Sequence, residues 1–98
     1  MACLKTVTAW EAQLHLCQIA RHLTVSAKDA GRFATWLEGL LAHKRPFLRA
    51  WSLDALCRMA LQHERYRTRA LQALDAASRD SAASVAARVR RLRSETGL

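Results

Sequence analysis

The sequence predicts an all-α fold of five helices, and three observations carry that expectation. Alanine and leucine dominate the 98 residues while β-branched residues are scarce, and Ala and Leu lose little side-chain freedom in a helix. Helix breakers are few, with one proline (Pro46) and three glycines (Gly31, Gly39, Gly97). No stretch alternates apolar and polar residues between turn signals, so no strand is expected. The length suits a single domain, residues 1–98.

Apolar periodicity places the elements in order. The first helix is expected from about Thr8 to His22, and Thr24-Val25-Ser26 ends it. Ser26 followed by Asp29 is a helix-start signal. The second helix spans roughly Ala27 to His43, with Phe33, Trp36, Leu37, Leu40 and Leu41 on one face. Pro46 falls in the first turn of the third helix, where its missing N–H costs nothing, and that helix continues to about His63. The fourth runs from about Arg65 to Ala77 and the fifth from about Ala82 to Glu95. Ser78, Asp80 and Ser81 form the break between them, one of the three supplying the cap.

The helices repeat. A shift of 40 residues lays Leu16-Cys17-Gln18-Ile19-Ala20 on Leu56-Cys57-Arg58-Met59-Ala60. A shift of 36 lays Ala50, Leu53 and Leu56 on Ala86, Val89 and Leu92, and a shift of 34 lays Leu37 and Leu40 on Leu71 and Leu74. All three shifts lie near the period of two-helix solenoid units.

At Pro46-Phe47-Leu48-Arg49-Ala50-Trp51-Ser52-Leu53-Asp54-Ala55-Leu56 the chain resembles the HEAT-repeat family, in the form of a small bacterial-type HEAT domain. Leu48, Arg49, Leu53 and Leu56 match that family's hydrophobic-Arg-x-x-x-Leu-x-x-Leu pattern at the start of a unit's second helix. Asp80 to Val85, with Val89 and Leu92, looks like a weaker copy that keeps the inter-helix Asp but carries Ala86 in place of the Arg. The first copy lacks the inter-helix acid, since His43-Lys44-Arg45 occupies that turn. The resemblance covers about residues 6 to 95. It implies a short right-handed α-α superhelix of about two and a half repeats: a half repeat at 6–23, then repeats at 27–63 and 65–95. The first helix, with Leu14, Leu16, Cys17 and Ile19, then has no preceding helix to cover it. An uncapped solenoid end exposes core, so pairing with another copy or with a longer partner is expected there.

On the helical wheel Glu11, His15, Gln18 and His22 lie opposite Leu16 and Ile19. The repeat shifts carry that stripe to Trp51, Ala55, Arg58 and Gln62, flanked by Asp54, and then to Ala87, Arg91 and Ser94, flanked by Arg90. Second helices line the concave side of a HEAT-like solenoid, so the resemblance implies one continuous partner-binding surface across these positions. Trp51 lies with Asp54 and Arg58, and an exposed Trp beside Arg is enriched at binding hot spots. The alternative is a Trp covered by a neighbouring helix. Trp10 and Trp36 sit among apolar neighbours and read as packing.

The remaining polar features have structural readings beside functional ones. Glu11, His15 and His22 share a face, but a zinc site needs three or four converging groups, so a solvated face is expected, with no metal and no cofactor. His43 and His63, each expected in the last turn of a helix, suit the dipole. Arg88, Arg90, Arg91 and Arg93 fan around the fifth helix outside Val85, Val89 and Leu92, as a solvated end or a phosphate-contacting one. Arg65, Arg67 and Arg69 around Tyr66 open the fourth helix, where cations oppose the dipole and sequence offers no structural reason.

Sixteen basic and eight acidic residues give +8, divided about evenly between the two halves. Such a balance raises the prospect of an acidic or nucleic-acid partner, although a solvated arginine-rich surface explains it equally. No apolar run reaches the roughly 20 residues that span a bilayer, and the first residues lack a secretory pattern. Three cysteines (Cys3, Cys17, Cys57) in no metal spacing suggest a reducing, cytoplasmic setting, with Cys17 and Cys57 as buried hydrophobes and Cys3 the one prone to oxidise. No phosphate loop, nucleophile elbow or metal motif occurs, so no enzyme is expected. The leading expectation is a non-catalytic protein-interaction module or scaffold. The alternative is sequence-independent binding of nucleic-acid backbone, as some HEAT-like DNA glycosylases do on a basic concave face, although none of their catalytic residues can be matched here.

Overall fold

A computed structural model describes residues 9–98. Its elements are α1 (Trp10–Ala20), α2 (Ala27–Leu40), α3 (Pro46–Gln62), a 3-10 turn (Glu64–Tyr66), α4 (Arg67–Ala77) and α5 (Ala83–Thr96). Among the described residues there is no strand. All five expected helices are present. The expected start of the first at Thr8, and Cys3, lie outside the described residues.

The local signals act as chemistry requires. At the start of α2 the Ser26 hydroxyl accepts the Asp29 N–H and donates to the Asp29 carboxylate at 3.1 Å, satisfying a donor that the first turn would otherwise leave unpaired. Pro46 opens α3. Gly97 ends α5 in the left-handed region, φ 73°, with its N–H on Arg93 O, a conformation that costs a side chain more than it costs glycine. The break before α5 is organised by Asp80, whose Oδ1 accepts the Ala82 N–H at 2.9 Å.

Helix α3 is the hub. Its residues Ser52 to Cys57 are all buried, because α1, α2, α4 and α5 each pack against it. Leu48, Leu53, Leu56 and Met59 of α3 join Phe33 and Leu37 of α2, Leu74 of α4 and Val85 and Leu92 of α5 in the buried interior. Trp36 stacks on Phe33 with centroids 5.9 Å apart, as its apolar setting predicts. The radius of gyration, 12.2 Å, is close to the about 12.6 Å expected of a compact 98-residue domain.

Two polar straps fix the connections. The Gln62 amide accepts the Val25 N–H at 2.8 Å and donates to Leu23 O at 2.9 Å, while His63 Nε2 bonds Val25 O. The α1–α2 loop is thereby tied to the end of α3. Arg49 donates to Asp80 through Nε and Nη2, at 2.8 and 3.1 Å, and through Nη1 to His43 O at 2.9 Å and Lys44 O at 3.2 Å. One guanidinium therefore gathers the turn before α3 and the turn before α5. The same Arg49–Asp80 pair borders a small cleft of about 120 Å³ whose other walls are Leu41, Ala73, Ala76, Ala77 and Val85.

Several expectations need correction. α2 ends at Leu40, so His43 lies in the turn beyond it, its Nδ1 accepting the Arg45 N–H. His63 is the residue that follows α3 and serves the loop strap, so its role is a hydrogen bond and not a dipole contact. Ile19, on the helix expected to lack a covering neighbour, is 52% exposed, because α1 is covered on one side only and turns Cys17 and Ala20 toward α3. Two of the three arginines that open α4 have partners after all. Arg69 pairs with Glu38 of α2, and Arg65 and Arg69 flank the ring of the buried Tyr66 at 5.4 and 5.2 Å. Glu38, hydrogen-bonded by Arg69, is held below the usual carboxylate range.

Candidate interaction surface

The face shared by α1, α3 and α5 carries most of the sequence-derived candidates, and an ionic network runs through it. On α3, residues 47, 51, 54, 58 and 61 fall on one stripe by helical geometry. At its centre is Asp54, 0% exposed. Asp54 Oδ1 accepts from Arg58 Nε at 2.9 Å, one turn on, and Oδ2 accepts from Arg88 Nη1 of α5 at 3.4 Å. Arg58 reaches further, donating through Nη2 to Glu95 of α5 at 2.8 Å. Arg21, just past α1, approaches the same Glu95 oxygen at 3.8 Å. Glu95 is held below its ordinary value by the hydrogen bond from Arg58, with Arg91 and Arg21 adding to the effect.

Trp51 belongs to this network. It is half-buried against the core, and the Arg88 guanidinium lies over its ring, 4.1 Å from the centroid. Arg88 thus serves a buried carboxylate with one edge and an indole face with its plane. Trp51 therefore matches neither of its two readings in full: it is half-buried, and the ring is covered on one side by a neighbouring helix's arginine. Trp10 has a similar cover, with the Arg45 guanidinium 4.1 Å from its ring.

The structure divides the candidate residues. Asp54, expected on the surface, is buried, because α5 delivers Arg88 to it across 34 residues of sequence. Arg58 is largely consumed by Asp54 and Glu95. Gln62 has its amide committed to the α1–α2 loop. Glu11, His15 and His22 are exposed on α1 or just after it, and Gln18 is half-buried. Arg90 and Arg91 are exposed, and with Arg93 they make no ion pair among the described residues.

One residue was missed. Phe47, one turn before Trp51 on the same stripe, is 64% exposed. Leu61, at the other end of the stripe, is 53% exposed. The i, i+4 relation of Phe47 to Trp51 was available in the sequence, but Phe47 was read only as part of a repeat motif.

Chemically the face offers apolar contact and cationic hydrogen bonding. The thiols of Cys17 and Cys57 are both pushed up to about 12 by burial, with the Asp54 carboxylate adding, so they stay protonated. Among the described residues no group of three or more His, Cys, Asp or Glu side chains converges as a metal site would require, and no helix is long and apolar enough to cross a membrane. No protein-family model, no curated protein and no solved structure matches the chain.

Proposed function

We propose that this chain is a non-catalytic, HEAT-like helical-repeat module that holds a protein partner on its α1/α3/α5 face, with Phe47 and Trp51 as apolar anchors framed by arginines. The observation that carries the reading is Phe47. It stands 64% exposed in the first turn of the most buried helix of the fold, and an aromatic ring kept in water forgoes about 1.5–3 kcal/mol that a partner's surface would restore. The helix beneath it is rigid, so little ordering cost attaches to binding. The packing of α1 and α5 on α3, and the tie from Arg49 to Asp80 of the following unit, support the solenoid arrangement. Free buried thiols suit a cytoplasmic setting.

Phe47 is a cleaner probe than Trp51, whose loss would also release Arg88. Phe47→Ala is expected to weaken a captured partner roughly 30-fold or more, as for a hot-spot aromatic, with the circular dichroism spectrum unchanged. Capture indifferent to Phe47→Ala contradicts the reading.

A second reading rests on Arg90, Arg91 and Arg93, which are exposed and free of ion pairs among the described residues. They leave α5 with an outer cationic edge for nucleic-acid backbone. Three phosphate contacts would weaken duplex binding roughly 40-fold between about 50 and 200 mM salt. Titration with random duplex DNA checks this: Arg90→Ala with Arg91→Ala should flatten the slope, and no binding at low salt removes the reading.

A further inference from the structure

We propose that the exposed apolar flank of α1 is a self-association surface, on which a second copy of this chain packs its own α1 in antiparallel orientation. This inference uses residues other than Phe47 and Trp51, the anchors of the partner reading.

The surface is apolar where a soluble helix would be polar. Beside Cys17 and Ala20, which face α3, one flank of α1 carries Ala12 and Ile19, both exposed, and the half-buried Leu16. Leu23 follows in the turn after the helix, 43% exposed, while Ile19 is 52% exposed. The turn that carries Leu23 is not loose. Its carbonyl is held by the Gln62 amide, and Val25 beside it is bonded at both its N–H and its carbonyl.

Charge identifies the occupant. The chain carries +8, so two copies repel wherever their cations meet. α2 shows exposed Lys28 and Arg32, the start of α3 shows Lys44 and Arg45, α4 shows Arg67, and α5 shows Arg90, Arg91 and Arg93. α1 contains no lysine or arginine of its own, its one formal charge is Glu11, and among the described residues the one cation laid on it is Arg45, over the Trp10 ring at its start. Arg21 just beyond is engaged by Glu95. An acidic partner would be drawn to any of the other faces, whereas an identical +8 chain meets least repulsion on this one.

Spacing makes the surface self-complementary. Positions 12, 16, 19 and 23 are separated by four, three and four residues, a pattern that reads the same in both directions. A two-fold interface requires this property, because each residue i that meets j must have j meeting i. In an antiparallel pair Leu16 lies across from Ile19 of the second copy, and Ala12 across from Leu23. The His15 side chains flank the seam as a polar rim.

Sedimentation equilibrium on the full chain tests the proposal. The wild type is expected to be dimeric at roughly 100 µM, and the dimer should persist or tighten as salt screens the +8 charge. That is the opposite of the salt response of polyanion binding. Ile19→Glu places a carboxylate in the seam twice and should weaken the dimer on the order of 100-fold with helical content retained. Leu23→Glu, outside the helix, should act alike and covers the case in which Ile19→Glu fails to fold. Arg90→Glu should leave the dimer intact. A wild type that is monomeric at that concentration, or a dimer insensitive to both Ile19→Glu and Leu23→Glu, overturns the proposal. Partner capture through Phe47 should survive Ile19→Glu, so the two readings fail separately.

Discussion

Replacing Asp54 with alanine is expected to remove about 3–5 kcal/mol of folding stability, the cost of leaving charge buried without its partner. The side chain is 0% exposed. Its two arginines are nearly as enclosed, with Arg58 and Arg88 side chains 18% and 13% exposed. Without the carboxylate, two guanidinium groups press on each other across the α3–α5 contact, and the Arg88 stack on Trp51 loses its anchor. Asp54→Asn keeps the volume but not the charge, so its loss should lie between wild type and Asp54→Ala. Urea denaturation checks both, as a lowered midpoint with an unchanged slope. An Asp54→Ala protein within about 0.5 kcal/mol of wild type would mean that the network is ornamental.

The second large effect is expected at Arg49. Arg49→Met retains the aliphatic stem but forfeits the bonds to Asp80, His43 O and Lys44 O. We expect a loss of about 2–4 kcal/mol, from charge-assisted hydrogen bonds that are only partly replaced by water. This residue also gives the acid limb of stability its shape. Asp80 is held below its usual 3.8 by the Arg49 hydrogen bond and then by the Ala82 N–H. A depressed carboxylate stabilises the fold above its unfolded value, and that contribution is lost as pH falls through the folded one. Glu38 and Glu95, likewise depressed, lose theirs in the same direction. Wild-type stability should therefore fall below about pH 4, and Arg49→Met should show a shallower fall because Asp80, left with the Ala82 N–H alone, contributes less. Parallel acid limbs in the two proteins would contradict this assignment.

The five helices were legible because their signals are local. Ser26 with Asp29, Pro46, and the apolar face from Phe33 to Leu41 depend on neighbours within a turn or two. What periodicity cannot supply is the identity of the group that arrives from elsewhere in the chain. Asp54 looked like surface because it stands apart from Leu53 and Leu56 on the wheel, and only the Arg88 of α5 converts that position into interior. The (i, i+4) spacing of Asp54 and Arg58 hinted at a pair, but not at burial. Arg69 is a similar case: it opposes the dipole locally and is explained only by Glu38, 31 residues earlier. The pattern on α1 is apolar on more than one side, and which side faces α3 follows from packing. The candidate surface accordingly narrows from a mostly basic stripe centred on Trp51 to Phe47 and Trp51, with an internally satisfied ionic seam behind them.

The most direct test of the interaction reading is site-specific photo-crosslinking inside cells that express the protein. A benzophenone amino acid is placed at Phe47 in one sample and, in another, at Leu71, which is 39% exposed on α4. The account predicts a discrete protein adduct from position 47 that is absent from position 71. No adduct at 47 above that at 71 would contradict the claim that this face holds a protein partner.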